Sequence, residues 1–336
     1  MRSRTRVLGI IFFLLLLLIA VLITVTIGWR PIIGPRKREL TARHFESTPE
    51  RLARGKYLVD AVAGCFGCHS PADLKKRGTP PLEDKLGAGM VWPDPQLPWL
   101  VAPNITPDKE TGAGNWSDDV LARAIREGIG HDGRALFPLM PYPNFRSMSD
   151  EDLASVIVYV RSIPAVRNEL PKTKMPFPLK FLVNNTPEPL TNPVPAPDSS
   201  SAVGRGAYLV KVGSCADCHT PQVQGKPIQG LDFAGGTILD GPTGRVASAN
   251  ITPDPSGISY FDENLLIHSL RAGKVGAREL NPAMPWWFYG QMTDDDLKSV
   301  FAFLRTLKPV HHRVDNVEAA TECKVCRQKH GLGSEN

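Results

Sequence analysis

Two stretches 150 residues apart, CFGCHS at 65–70 and CADCHT at 215–220, share a Cys-x-x-Cys-His core closed by a small hydroxyl residue. Their surroundings repeat as well. RGKYLV (54–59) precedes the first and RGAYLV (205–210) the second, and NITPD follows at 104–108 and again at 250–254. Next come WSDDVLARAIREG (116–128) or FDENLLIHSLRAG (261–273), a proline-rich loop with methionine, and finally SDEDLASVIVYVRSIP (149–164) or TDDDLKSVFAFLRTLKP (293–309). A chain built twice from one unit of about 105 to 120 residues folds as two copies of one domain rather than around a single large core.

The repeated segments carry helical periodicity and helical punctuation. Ser117 and Asp262 are placed to cap the middle helices, glycine ends both, and the closing helices are amphipathic and stopped by proline. The 31 Pro and 29 Gly imply many turns and argue against long regular sheets, so the expected fold class is all-α. The expected layout is a membrane anchor with a basic flank (1–47), a first domain (48–183), a Pro/Ser-rich extended linker (184–203), a second domain (204–310) and a Cys/His tail (311–336). The proline-rich run 164–178 reads as a loop packed on the first domain.

Val7 to Trp29 holds 23 residues without a charge. At about 1.5 Å per residue this crosses a hydrocarbon core of about 30 Å. A cleaved signal peptide competes, but its apolar region is about 7 to 15 residues long and ends in a small-x-small site, which is not found before Trp29. The expectation is a retained transmembrane helix with Trp29 at the interface. Residues 1–45 hold eight Arg and Lys against Glu39 alone, which accounts for the whole net charge of +5 and leaves the rest slightly acidic. Basic residues confined to the flanks of an apolar span suit lipid headgroups and exclude nucleic acid as the partner.

The six cysteines form three Cys-x-x-Cys pairs, Cys65/Cys68, Cys215/Cys218 and Cys323/Cys326, and only the first two are followed directly by histidine, His69 and His219. Cys-x-x-Cys-His is the attachment signature of c-type haem: two thiols add to the two vinyl groups, and the adjacent imidazole is held under the iron. A thioredoxin-like redox pair needs a βαβ setting, and a zinc site needs a second ligand pair at a definite distance. Neither accounts for the histidine. Two covalently bound haem c groups are expected.

Six-coordinate haem iron needs a second axial ligand, usually His or Met. Two methionines recur at a separation of 144 residues, Met140/Met284 and Met148/Met292. Met148 and Met292 directly precede the caps of the closing helices and fit hydrophobic packing there. Met140 in FPLMPYP and Met284 in NPAMPWW lie in proline-braced loops, which suits a thioether directed at iron. His131, His268 and Met90 have no counterpart in the other repeat and read as surface or packing residues.

CFGCHS or CADCHT, NITPD, the PLMPYP or PAMPWW loop and the closing SDEDL or TDDDL helix occur in this order over roughly 48–310. In that order each unit resembles a class I cytochrome c domain. The pair is similar to the membrane-associated multihaem cytochrome c subunits of bacterial alcohol, gluconate and related dehydrogenases. The resemblance implies two tandem helical domains, axial pairs His69/Met140 and His219/Met284, and electron transfer without substrate catalysis. It further implies a single-pass protein of the bacterial inner membrane with its haem domains in the periplasm. The implied partners are redox proteins: a dehydrogenase or quinol-oxidising donor, and an oxidase or other cytochrome. A dihaem peroxidase and a mainly structural subunit are the alternative readings. Such subunits commonly carry three haem domains, whereas here Cys323-x-x-Cys326 is followed by Arg327, with His330 displaced. A disulfide, a metal site and an irregular haem site all remain open for that tail.

Overall fold

The computed structural model describes residues 2–223, 225–241, 244–316, 321–325, 327, 329–330 and 332. Cys326 of the tail lies outside the described residues. Two compact units make up the chain, one from Met1–Arg43, Ser117–Arg146 and Lys174–Asn192, the other from His44–Trp116, Ser147–Thr173 and Pro193–Asn336.

The first unit opens with the helix Arg2–Thr26, whose apolar portion Arg4–Thr26 is 23 residues long and wholly unburied. The helix ends at Thr26, short of Trp29, because Gly28 turns left-handed (φ 70°) and its N–H bonds back to the Ile23 carbonyl at 2.8 Å. Trp29 heads the next one-turn helix, Arg30–Ile33, and its indole donates to Thr24 Oγ1 at 3.1 Å. The middle helix Asp118–Glu127 has the expected Ser117 cap, which accepts from Val120 N at 3.3 Å, and ends at left-handed Gly128. Arg38 forks onto Asp119 at 2.6 and 2.7 Å and reaches Glu127 at 2.8 Å, while Thr41 donates its N–H and hydroxyl to Asp119 at 2.7 and 3.0 Å. Burial pushes the Asp119 carboxyl up, but the hydrogen bonds from Arg38 and Thr41 outweigh it and hold the group at about 2. Arg38, expected among lipid headgroups, is therefore part of the fold, whereas Arg36 and Lys37 stay exposed.

The second unit holds two helix crossings of one design. The opening helix Pro49–Tyr57 meets the closing helix Asp150–Ser162, and the opening helix Ala202–Val212 meets Asp294–Leu304. Gly55 and Gly206 make these crossings possible, since a β-carbon on either would stand 1.9 Å from a carbonyl oxygen, that of Ser155 or Ser299. Leu58, Val59, Val62, Leu153 and Ile157 fill the first core, and Leu209, Val210, Val212, Leu297 and Leu304 the second. From Arg54 to Cys65 the first copy has one residue more than the second has from Arg205 to Cys215. The extra residue is absorbed by widening Leu58–Val62 into a π-turn, with Ala63 N bonding to Leu58 O at 2.7 Å.

Helices thus form the cores, but much of the chain is irregular. Five two-stranded antiparallel ribbons of two or four residues per strand complete the described regular structure, so all-α describes the core and not the whole chain. The expected caps are present: Ser149 accepts from Asp152 N at 3.1 Å, Thr293 from Asp296 N at 3.2 Å and Asp262 from Leu265 N at 2.7 Å. The linker is pinned as well, with Val194 and Asp150 exchanging bonds of 2.9 and 3.2 Å.

Candidate haem-attachment sites

Each attachment motif is a single helical turn, Cys65–Cys68 or Cys215–His219, reached through a left-handed residue, Gly64 (φ 59°) or Ser214 (φ 57°). Spacing of three within the turn puts the two sulfurs on one face. Glycine is required at 64, where a β-carbon would stand 2.5 Å from the Phe288 ring.

The histidines are held in one orientation. His69 Nδ1 lies 2.8 Å from the Pro103 carbonyl and His219 Nδ1 lies 2.7 Å from the Ala249 carbonyl. A carbonyl only accepts, so Nδ1 carries the proton in both and Nε2 presents its lone pair. Burial holds both imidazoles below their ordinary value, which keeps them neutral.

The two carbonyls belong to the residues just before NITPD, and this explains the motif. Asn104 Oδ1 accepts from Thr106 N and Oγ1 at 3.0 and 2.7 Å, and Asn104 Nδ2 donates to Val166 O at 2.7 Å. Asn250 makes the same three bonds, to Thr252 at 2.9 and 2.8 Å and to Val310 O at 2.9 Å. The hydroxyl closing each attachment motif also holds the framework: Ser70 Oγ accepts from Gly87 N at 2.9 Å, and Thr220 Oγ1 accepts from Phe233 N at 3.0 Å. Gly89 N and Gly235 N bond to the carbonyls of His69 and His219 at 2.7 and 2.8 Å. The repeated Asn-x-Thr is the available signal for this lock, but an acceptor that is a backbone carbonyl leaves no mark in a sequence.

Burial is the first cause that pushes the thiols up, to about 12 at Cys65 and Cys215 and about 11 at Cys68 and Cys218; at Cys68 the Cys218 sulfur is the second. A redox-active Cys-x-x-Cys pair has the opposite character, with a depressed nucleophilic thiol.

Met140 and Met284 sit in loops of one pattern. Met140 N bonds to Phe137 O at 3.1 Å and Tyr142 N to Met140 O at 2.7 Å; Met284 N bonds to Asn281 O at 2.9 Å and Trp286 N to Met284 O at 2.7 Å. Asn281 braces the second loop, accepting from Ala283 N at 2.9 Å and donating to Gly244 O at 3.3 Å. Met140 belongs to the first unit and His69 to the second, whereas Met284 and His219 share the second. Met148 and Met292 are buried, as packing residues should be, and His131 and His268 occupy exposed positions. Met90, half-buried, starts a two-residue strand.

The residues present fit c-type haem. Cys65, Cys68, Cys215 and Cys218 are unbridged, and each pair is followed by a neutral imidazole whose Nε2 has no hydrogen-bond partner among the described residues. Trp286 Nε1 and Thr237 Oγ1 are two of the five buried side-chain polar atoms with no partner among the described residues.

The chain matches the family described as Cytochrome c over residues 52–164 and 203–308. It is 35% identical over 203 residues to one of the subunits of the nicotinate dehydrogenase of Pseudomonas putida, covering 56% of this chain and 16% of that one. It is 28% identical over 309 residues to the cytochrome c subunit of the quinone alcohol dehydrogenase of Gluconobacter oxydans, covering 84% of this chain and 61% of the relative. A dihaem c-type cytochrome of Cereibacter sphaeroides is 28% identical over 225 residues, which is 63% of this chain and 73% of the relative. The chain thus spans 61% or less of the first two relatives' lengths. Both matched regions contain a carbonyl-locked histidine behind a pair of unbridged thiols, and the chain therefore belongs to the cytochrome c family, with two covalently attached haem c groups.

Proposed function

We propose that the chain is a membrane-anchored dihaem cytochrome c that carries single electrons from a dehydrogenase or quinol-oxidising partner to a downstream acceptor. Its role is electron transfer and not catalysis, in keeping with relatives named as cytochrome c subunits of alcohol and gluconate dehydrogenases. Residues 48–183 and 204–310 are the two haem-bearing halves. Haem c, when bound, supplies a one-electron change at iron.

The chain's own residues hold that change in place. The four attachment cysteines fix the group covalently, and the Pro103 and Ala249 carbonyls keep His69 and His219 in one tautomer. Met140 and Met284, in proline-braced loops of which the second is also held by Asn281, would supply the second iron ligand in each half. Thioether ligation would favour the reduced state and would leave no iron position for substrate. The helix Arg4–Thr26 stays attached as the anchor, with Arg2, Arg4 and Arg6 on the cytoplasmic side and the haem halves in the periplasm.

The histidine lock, present twice, carries this reading. Spectroelectrochemical titration of the detergent-solubilised protein tests it. Met140→Ala and Met284→Ala are each expected to lower one of two midpoint potentials and to convert one haem to a high-spin spectrum. Unchanged potentials and spectra in either variant would remove that methionine from the ligand set. The partner is tested by copurification from solubilised membranes, with a dehydrogenase expected among the associated proteins; a preparation that no dehydrogenase accompanies or reduces counts against it.

A further inference from the structure

The repeated Arg-Gly-x-Tyr motif holds the two halves together. Tyr57, at the end of the first opening helix, donates to Asp296 of the second closing helix, and its oxygen accepts from Thr293 N at 3.2 Å. Tyr208 mirrors it, donating to Asp152 at 2.6 Å and accepting from Ser149 N at 3.2 Å. Each carboxylate is also held by the arginine of its own half: Arg54 reaches Asp152 at 2.7 and 2.8 Å, and Arg205 reaches Asp296. Burial, then Asp296, pushes Tyr57 up to about 12, and burial, then Asp152, raises Tyr208, so both phenols remain donors. The clasp is reciprocal, residue for residue, and covers both halves.

The second half also carries the aromatic turn Trp286–Tyr289; the corresponding turn of the first half, Tyr142–Phe145, is aromatic only at Tyr142 and Phe145, so Trp287 and Phe288 have no aromatic counterpart. The Phe288 ring fills the space over Gly64, directly before the first attachment turn. A β-carbon at Gly67, inside that turn, would touch Trp287 at 3.6 Å. Tyr289 donates to the Gly213 carbonyl, two residues before the second attachment turn, and its ring lies 4.1 Å from that of Phe288, centroid to centroid. On the flank, Arg77 of the first half donates to the Ala272 and Gly273 carbonyls at 2.7 and 3.1 Å and stacks on Trp286 at 4.8 Å. One pair of adjoining, tilted rings therefore touches the approaches to both attachment turns.

We propose that these contacts hold the two halves as a fixed pair, attachment turn beside attachment turn, and that Tyr57 and Tyr208 are positioning residues for electron exchange between the two haems of one chain. In that exchange iron in one half goes from Fe(II) to Fe(III) and iron in the other from Fe(III) to Fe(II), with no bond made or broken. The Phe288–Tyr289 pair joins the approaches to the two turns, Phe288 against Gly64 and Tyr289 on the Gly213 carbonyl. This inference rests on two haems being bound, which a pyridine haemochrome count establishes independently.

The test is Soret circular dichroism together with pulse-radiolysis relaxation on the full-length, detergent-solubilised holoprotein. Two haems held close at a fixed angle give a two-signed Soret couplet; haems that move independently give the band of isolated centres. The wild type is expected to show the couplet. Tyr57→Phe/Tyr208→Phe removes two hydrogen bonds to carboxylates, each shifting the docked-to-parted equilibrium by about tenfold to a hundredfold. With both haems retained, that double variant is expected to lose the couplet and to slow inter-haem relaxation. The single variants are expected to weaken both signals equally, and they decide the matter if the double variant fails to load haem. A purely structural role would lower the melting temperature and leave couplet and relaxation intact. That result, or a wild-type protein with two haems and no couplet, would overturn the proposal.

Discussion

The two attachment turns are built alike and approached differently. The second is reached by a straight α-helix ending at Val212 and by Ser214, and the first by a π-turn and by Gly64. Both entering residues are left-handed, so backbone geometry asks for glycine equally at 64 and 214. The difference lies in what packs there, for Phe288 covers Gly64. A duplicated chain keeps its local rules in both copies and diverges where one copy packs on the other.

The largest effect is expected where the copies are the same. Gly55→Ala and Gly206→Ala each place a β-carbon 1.9 Å from a carbonyl oxygen, and backbone cannot rotate away as a side chain can. Each is expected to cost about 3 kcal/mol or more, read as a fall in melting temperature, and the two losses should match. If one alanine is tolerated, the crossings are not equivalent.

Gly64→Ser comes next, because it gives the first turn the residue of the second. The added atoms meet the Phe288 ring at 2.5 Å, and relief requires moving the aromatic turn. A loss of about 1 to 3 kcal/mol is expected. Pairing it with Phe288→Leu should recover part of that loss in a double-mutant cycle; no recovery would place the strain elsewhere.

What can be read from the sequence follows the range of the interactions. Helix caps at Ser117, Ser149, Asp262 and Thr293 and the attachment turns are set within a few residues, and the sequence displays them directly. The clasp between Tyr57 and Asp296 joins residues 239 apart, and the fork from Arg38 to Asp119 joins residues 81 apart. Arg38 reads as a lipid contact for that reason, because a basic run beside an apolar span shows its charge and not its partner. The carbonyls that lock His69 and His219 leave no trace, since every residue has one. Trp29 suggests the end of the apolar helix by its type, while Gly28 ends it by its backbone.

The Arg38 fork has no counterpart in the second half, where Asp119 aligns with Asn264, and it makes the first unit sensitive to acid. Asp119 ionises at about 2 in the fold against 3.8 for a free group, so its contribution is complete above about pH 4 and disappears as pH falls through about 2. Arg38 is partly exposed and screened, which limits the contribution to about 1 to 2 kcal/mol. Thermal melts between pH 5 and pH 2 are expected to show this loss in the wild type and to lack it in Asp119→Asn, whose melting temperature should be lower throughout. An identical acid profile in the variant would assign the sensitivity to another group.

The smallest effect is the most informative about the divergence of the copies. Ser214→Gly makes the second turn like the first, and the buried Ser214 hydroxyl has no partner among the described residues. Glycine relieves the left-handed strain of about 1 to 2 kcal/mol and removes an unsatisfied hydroxyl. Against this, the unfolded chain gains freedom costing about 0.5 to 1 kcal/mol. The net is expected to be neutral to slightly stabilising, within about 1 kcal/mol, with both haems retained. A clear loss of stability, or of the second haem, would show that the serine hydroxyl has a partner in the loaded protein, and the two turns would then differ by function as well as by packing.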